Sequence, residues 1–546
     1  FARGSNRISF AYTLGWNVSG ALVNMSQVPL VVVPYLMGRF SAPNVYKAMG
    51  TATTLLGSSG TVRDPLLASL NALPFGNFNF KPKATGKRKT LYGEVEDTYQ
   101  MPSLDNYFVA DEDGKLQMRD DYEWPEGAKG AEMKAEVESI QPLVQLAAEQ
   151  GYLNSSFVSD TQSIDYTSTG FRGTLDFLTK TSAFMFHHVE QYNRQATLVM
   201  AYKLELDRLN GVKSEGVKLQ NNATAEELSL TTEEKKRAAL FAVKETQRVN
   251  GGTNLETTGR IAQKGIGRIA MMYKSFGIRM YSTMLASAKQ MIDKHQDPTV
   301  RAIAFRQLVG VTGSSIFFAG VRGFPLYGAF IVAANMIRDD DEEDAETMVR
   351  KYVKEGFYKG PLTYITGMDV SSRVALSGLL LQVNRYNHNP SPEEFIGFYL
   401  GGPALSTGKR FIRGATDFAD GEMQRGVESM IPAAFSNAIK GFGRYASEGA
   451  RTRRGDPIFD DMNFGDLAGQ VIGFAPVEYT FRQEQNMQTK KLERVLITER
   501  QRLTRRYYYF LRNGNQQGVN KIKEKIDDWN SRLPRSARDL KITRKT

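Results

Sequence analysis

The sequence predicts a mainly α-helical fold, a multi-subdomain helical assembly that carries a small β or extended insertion. Three observations predict it. Apolar residues recur at steps of three and four over long stretches, two long uncharged runs interrupt an otherwise charged chain, and one segment near residue 100 breaks the helical pattern. At 546 residues the chain has ample material for several packed subdomains.

Residues 1–76 read as an N-terminal apolar helical segment. Its run from Ile8 to Gly38 lies uncharged between Arg7 and Arg39, but it holds Asn17, Asn24, Ser26 and Gln27, and Pro29 and Pro34 are expected to cut it. Such a run is greasy without being lipid-like. Residues 77–130 read as an inserted extended or β arm: Lys81-Pro82-Lys83 and Lys87-Arg88-Lys89 precede Tyr107 to Gly114, where Asp113-Gly114 predicts a hairpin turn.

Residues 131–300 form a long-helix domain. One helix is expected over Gly173–Asn210, and Thr231-Thr232-Glu233-Glu234 supplies a capping-box pair ahead of a second that runs to Val249. A third, from about Thr258 to Lys294, places Ile266, Ile269, Tyr273, Phe276, Met280 and Met284 along one face.

Residues 301–350 are an apolar helical hairpin followed by an acidic block, Asp339 to Asp344. Between Leu308 and Ile337 the one charge is Arg322, and Gly323 and Pro325 split the run into two arms. Each arm of about fifteen residues would span roughly 22 Å as helix against a hydrocarbon core of about 30 Å, so neither crosses a bilayer alone. Ile316, Phe317, Phe318, Arg322, Phe330 and Ile331 are the candidate membrane or core residues of these arms. In an assembled state the apolar ones are expected to be buried against other helices. Buried core helices and concealed hairpins that later line a conduit both fit this pattern.

Residues 351–480 read as a helical and loop domain containing Gly473-Phe474-Ala475-Pro476. Residues 481–546 form a basic helical hairpin tail: Leu492, Val495, Leu496, Leu503, Tyr507 and Phe510 make one stripe, and Lys491, Arg494, Arg502 and Arg505 fall on an adjoining face. After Gly514 and Gly518, Val519, Ile522, Ile526, Trp529 and Leu533 continue at helical spacing to Pro534. The chain's net charge of +11 is equal to that of this tail, so the rest of the chain balances. That asymmetry marks the tail for contact with nucleic acid, anionic lipid or an acidic surface, and the four basic residues are the candidate DNA contacts.

Chemistry is sparse. With no cysteine, disulfides and thiolate sites are excluded and the fold is indifferent to redox compartment. His187, His188, His295 and His388 lack metal-ligand spacing, and Gln191 stands where a zinc motif would need a second histidine. The segment from Gly402 to Arg410 has one residue too many for a phosphate loop. Glu138-Ser139 has the pair of a lytic transglycosylase, but the downstream element of that family is missing. No catalytic role, cofactor or metal is expected. The start, Phe-Ala-Arg-Gly-Ser-Asn-Arg, carries neither an initiator Met nor a cleavage-site pattern, so a longer parent polypeptide is expected.

Two patches resemble a known family. Tyr12-Thr-Leu-Gly15, Asn17-Val18-Ser19, Val23 to Gln27 and Pro29-Leu30 form one; Ile431-Pro432, Arg444-Tyr445, Glu448-Gly449, Arg451-Thr452, Arg454-Gly455 and Gly473 to Pro476 form the other. Together they resemble the C-terminal region of the large internal virion proteins of short-tailed bacteriophages, also called inner-core or ejection proteins. The resemblance implies a helical segment packaged in the capsid on the portal, with the portal and other internal virion proteins as neighbours. It further implies assembly as a homo-oligomeric ring or tube, contact with genomic DNA, ejection, and help in forming a conduit at the host inner membrane. The runner-up reading is a non-catalytic nucleic-acid-binding or scaffold region of a larger virion enzyme, an RNA polymerase or a transglycosylase.

Overall fold

The computed structural model describes residues 2–61, 63, 81, 83, 86–89, 95–98, 101–120, 122–153, 171–218, 230–250, 274–325, 327–337, 345–374, 407–451, 457–533 and 539–543. Its fold is mainly α, with three two-stranded antiparallel β pairs among the described residues.

The chain opens with α1 (Ala2–Thr13) and α2 (Val18–Met25), the latter capped by the Asn17 side chain, which accepts from the Gly20 N–H. The prolines that were expected to cut the next stretch do not end it. Pro29 falls in the first turn of a π-helical segment, Val28–Val32, and Pro34 in the first turn of α3 (Val33–Met37). A first-turn proline gives up an N–H that has little to bond, so the helical path continues with altered winding. The segment α4 (Ala42–Ser59) follows.

In the insertion, β1 (Gly86–Lys89) pairs with β2 (Val95–Thr98), and β3 (Phe108–Ala110) pairs with β4 (Leu116–Met118) through a turn in which Gly114 has φ 76°. The Asp113-Gly114 turn is therefore as expected. The insertion is no loose arm, however, because Leu104, Tyr107 and Phe108 lie in the main core. Tyr107 donates its hydroxyl to the Leu55 carbonyl at 2.6 Å, and its ring stacks on Trp124.

The core is organised around α6 (Phe171–Lys218), which packs on α1, α2, α4, α5 (Ala128–Glu149) and α7 (Thr232–Asn250). Residues 193–202 of α6 are buried on every side, the condition of a central helix. Among its buried polar groups, Gln195 accepts from the Leu104 N–H at 2.8 Å and donates to the Leu153 carbonyl at 3.1 Å. The predicted capping box of α7 forms, with Thr231 N–H on Glu234 at 2.8 Å and Glu234 N–H on Thr231 Oγ1 at 3.3 Å. Of the third predicted helix, α8 (Lys274–Ile292) is present with Met280 buried; Ile266, Ile269 and Tyr273 lie outside the described residues.

The second half adds α9 (Pro298–Ala319), a 3-10 turn (Gly320–Gly323), α10 (Tyr327–Ile337), α11 (Ala345–Tyr352), α12 (Glu355–Lys359), α13 (Pro361–Thr366) and α14 (Ser371–Val374). Then come α15 (407–419), α16 (Met423–Met430), α17 (Ala433–Ala446), the pair β5 (Gly449–Arg451) and β6 (Pro457–Asp460), and α18 (Phe464–Ile472). The chain closes on the hairpin of α19 (Val477–Arg512) and α20 (Gln516–Arg532).

Candidate functional site: the apolar hairpin, its buried charges and the motif junction

The two uncharged runs of the sequence are packed against each other. The helix α9 crosses α3 and the π segment, and Gly310 sits so close to Pro34 that a methyl group in its place would stand 2.8 Å from the Pro34 carbonyl oxygen. Close backbone approach of this kind requires the absent side chain. By length and composition, Val18–Met37 and Pro298–Gly323 could each cross a membrane, at mean hydropathy 1.4 and 1.3. In the folded chain each covers part of the other.

The first arm is longer than expected. It starts at Pro298, where the Asp297 side chain caps Thr299 N–H at 2.6 Å, and its 22 residues measure about 33 Å. The statement that neither arm can span alone is thus corrected for α9, which however carries Arg301 and Arg306. Within the single chain the arms are covered in part. Ile331 is 2 % exposed and Phe318 packs partly against the main core, whereas Ile316, Phe317 and Phe330 are 39 %, 58 % and 67 % exposed. The cause is which face turns inward: Ala304, Val311, Ser315 and Ala319 are buried, so the tight crossing uses the small residues of α9 and leaves its large ones outside.

Arg322, the lone charge of the apolar run, lies at the bend and not along an arm. Its guanidinium is 3.9 Å from Glu346 on α11 and 3.7 Å from Glu484 on α19. Glu484 also meets Arg350 at 2.9 Å and the fully buried Lys359 at 3.3 Å. Tyr358 donates its hydroxyl to Glu346, and Arg322 and Arg350 lie over its ring at 5.6 and 4.9 Å. Burial holds the Tyr358 hydroxyl protonated far above the usual tyrosine range. Charges this well enclosed stand only when mutually paired, so the cluster ties the hairpin bend to α11, α12 and the long C-terminal helix. Sequence reasoning missed Glu346, Arg350, Lys359 and Glu484, which no spacing connects.

The two motif patches come together in space. Gly473, at φ 114°, ends α18, and a methyl group there would stand 2.6 Å from Ser19 Oγ, 3.0 Å from Asn17 Oδ1 and 3.1 Å from Asn437 Nδ2. Ser19 donates to Asn17 at 2.7 Å, Trp16 meets Phe435 at 5.5 Å between ring centres, and Tyr12 donates to the Ser429 carbonyl. Beyond Gly473, Asp369 N–H bonds the Ala475 carbonyl at 2.9 Å and Val477 N–H the Gly367 carbonyl at 3.0 Å. The Gly473 to Pro476 motif is thus a three-way joint between Asn17 and Ser19, α17 and the start of α19.

In the tail, Leu503, Val519 and Ile522 are buried between α19 and α20, and Gly514 makes the turn at φ 66°. Arg494 and Arg505 are exposed, and Arg502, 51 % exposed, pairs with Glu499 at 3.2 Å; the side chain of Lys491 is outside the described set. The described basic residues therefore lie on one solvent-facing helix without a formed pocket. The acidic block 339–344 is outside the described residues, and among those described no cluster of metal-ligating side chains occurs. Comparison with protein families, with curated proteins and with solved structures yields no match.

Proposed function

We propose that this chain is a structural subunit of the portal-associated inner core of a bacteriophage particle. It assembles with copies of itself as a ring or tube, and after ejection it helps build the conduit through which the genome crosses the host envelope. The observation that carries the reading is the amount of large apolar surface left uncovered in the second half: Phe317, Phe330, Ile337, Phe357 and Ile365 are 58 %, 67 %, 87 %, 71 % and 78 % exposed. A water-soluble monomer rarely keeps so many large apolar groups uncovered, and subunit interfaces are where such groups go. The joint between the two patches that carry the resemblance supports the same reading, since it makes them one structural unit.

A closed ring needs each subunit to present two different, complementary surfaces. Sedimentation and negative-stain imaging of the purified chain test it. A discrete ring is expected, and Phe317→Ser with Phe357→Ser shifts the population toward monomer. A wild-type chain that stays monomeric at all concentrations, alone and with the portal, removes the proposal. The exposed Arg494 and Arg505 favour the second reading, a nucleic-acid-binding region of a larger virion enzyme. Duplex binding by a chain that never forms rings would support that one instead.

A further inference from the structure

The outer face of α19 sets aromatic rings among cations. From Arg500 to Lys523, across the end of α19 and the start of α20, the chain has seven arginines and lysines and neither aspartate nor glutamate. Leu503 is buried against α20, which leaves Arg494, Gln501, Arg505, Tyr508, Tyr509 and Arg512 exposed on the opposite side of the helix. Helical spacing puts these six on one face. Tyr508 and Tyr509 are 55 % and 65 % exposed. Both lie one turn after Arg505 and one turn before Arg512, at the three- and four-residue steps that make helix side chains neighbours. Arg502 is engaged by Glu499, whereas Arg505, Arg506 and Arg512 have no ion-pair partner among the described residues. Tyr507 and Phe510 meet the two rings edge-on, at 76° and 73°, so neither is covered by a parallel ring among the described residues.

A row of cations attracts a polyanion, and exposed rings beside them offer flat surfaces on which bases stack. In a duplex the bases are already stacked on one another, so the tyrosines gain contacts only from a strand whose bases are free. A bilayer would be met by apolar groups at the leading end of the hairpin, but Asn513, Asn515, Gln516 and Gln517 are the exposed side chains of its tip. A protein interface would set its rings among apolar groups and keep charge at the rim, the reverse of rings with an arginine one turn to either side. We propose that the end of the α19–α20 hairpin binds single-stranded nucleic acid, with Tyr508 and Tyr509 stacking on bases and Arg505, Arg506 and Arg512 neutralising backbone phosphates. This site narrows the nucleic-acid contact of the second reading above, on which it rests, to one form of ligand, and it does not depend on ring assembly.

The test is fluorescence anisotropy of the purified chain with a labelled oligothymidine of about twenty nucleotides and with a duplex of the same length, at one salt concentration. The strand is expected to bind about tenfold tighter than the duplex, and Tyr508→Ala with Tyr509→Ala removes that advantage while leaving duplex binding unchanged. Tyr508→Phe with Tyr509→Phe keeps the rings and with them the preference. Arg505→Gln with Arg512→Gln weakens binding to strand and duplex alike and lowers its salt dependence. If the alanine pair does not fold, the preference of wild type and of the phenylalanine pair decides the matter. Equal affinity for strand and duplex, or a preference that survives in the alanine pair, overturns the stacking site while the tail's nucleic-acid contact stands. Binding to neither overturns both, and loss of self-association or of anionic-vesicle binding in the alanine pair then assigns the face to a second copy or to a bilayer. Failure of the ring reading shows in sedimentation while this binding remains.

Discussion

At Glu484, one carboxylate stands among Arg322, Arg350 and Lys359. Glu484→Gln leaves those cations enclosed and under-compensated and is expected to cost about 3–5 kcal/mol, read as a lower urea midpoint at unchanged slope. The control is Glu478→Gln, whose partner Arg482 is about half exposed; its loss is expected to change stability by no more than about 0.5 kcal/mol. At Gly473 a side chain faces both an unfavourable φ and three polar neighbours, so Gly473→Ala is expected to destabilise by about 2 kcal/mol. The paired histidines set an acid limit. Burial first, then the neighbouring His187, lowers His188 to about 4, and its Nδ1 lies 3.1 Å from Gln191 Oε1. The folded state resists a proton that the unfolded chain accepts near 6.5, so this contribution is complete above that pH and is lost as the pH falls toward 4. Thermal unfolding followed from pH 7 to pH 4 should show the decline, and His188→Phe should flatten it.

Elements differ in how far the sequence betrays them. The tail hairpin was legible because Leu503, Val519 and Ile522 sit at helical spacing around a glycine turn, and all three are buried. The capping box of α7 was legible for the same reason: its signal is local. The length of α9 was not, since Arg301 and Arg306 mask a helix whose start is set by Asp297 and Pro298. Nor was its inward face, because the tight crossing at Gly310 favours small residues over the large ones that hydrophobicity singles out. The charge cluster was invisible for a stronger reason: its members range from Arg322 to Glu484 and meet only once the chain is folded. Two tests belong at this scale. If α9–α10 enters bilayers when the fold loosens, Phe317→Asp with Phe330→Asp, both at exposed positions, should abolish vesicle permeabilisation without lowering stability. If α19 meets DNA, reversing Arg494, Arg502 and Arg505 should weaken binding to all sequences alike and flatten its salt dependence, by about 0.9 in logarithmic slope for each phosphate that is no longer neutralised.

For the whole molecule, the pairing of Pro34 with Gly310 has a consequence in time. The ribosome makes the chain in one direction, and 276 residues separate these partners. At synthesis rates of about 5–20 residues per second, part of the cover for Val31 and Tyr35 arrives on the order of tens of seconds after they emerge. Through that interval the nascent chain holds a sticky, β-branched stretch that its finished fold conceals. Expression of residues 1–297 alone is therefore expected to give aggregates or persistent chaperone complexes, and supplying residues 298–546 as a second polypeptide should return soluble material in which the two fragments copurify. The same dependence runs in reverse whenever the chain is drawn out lengthwise: removing either partner uncovers both at once, so a single mechanical event would unmask two apolar segments from opposite halves of the sequence.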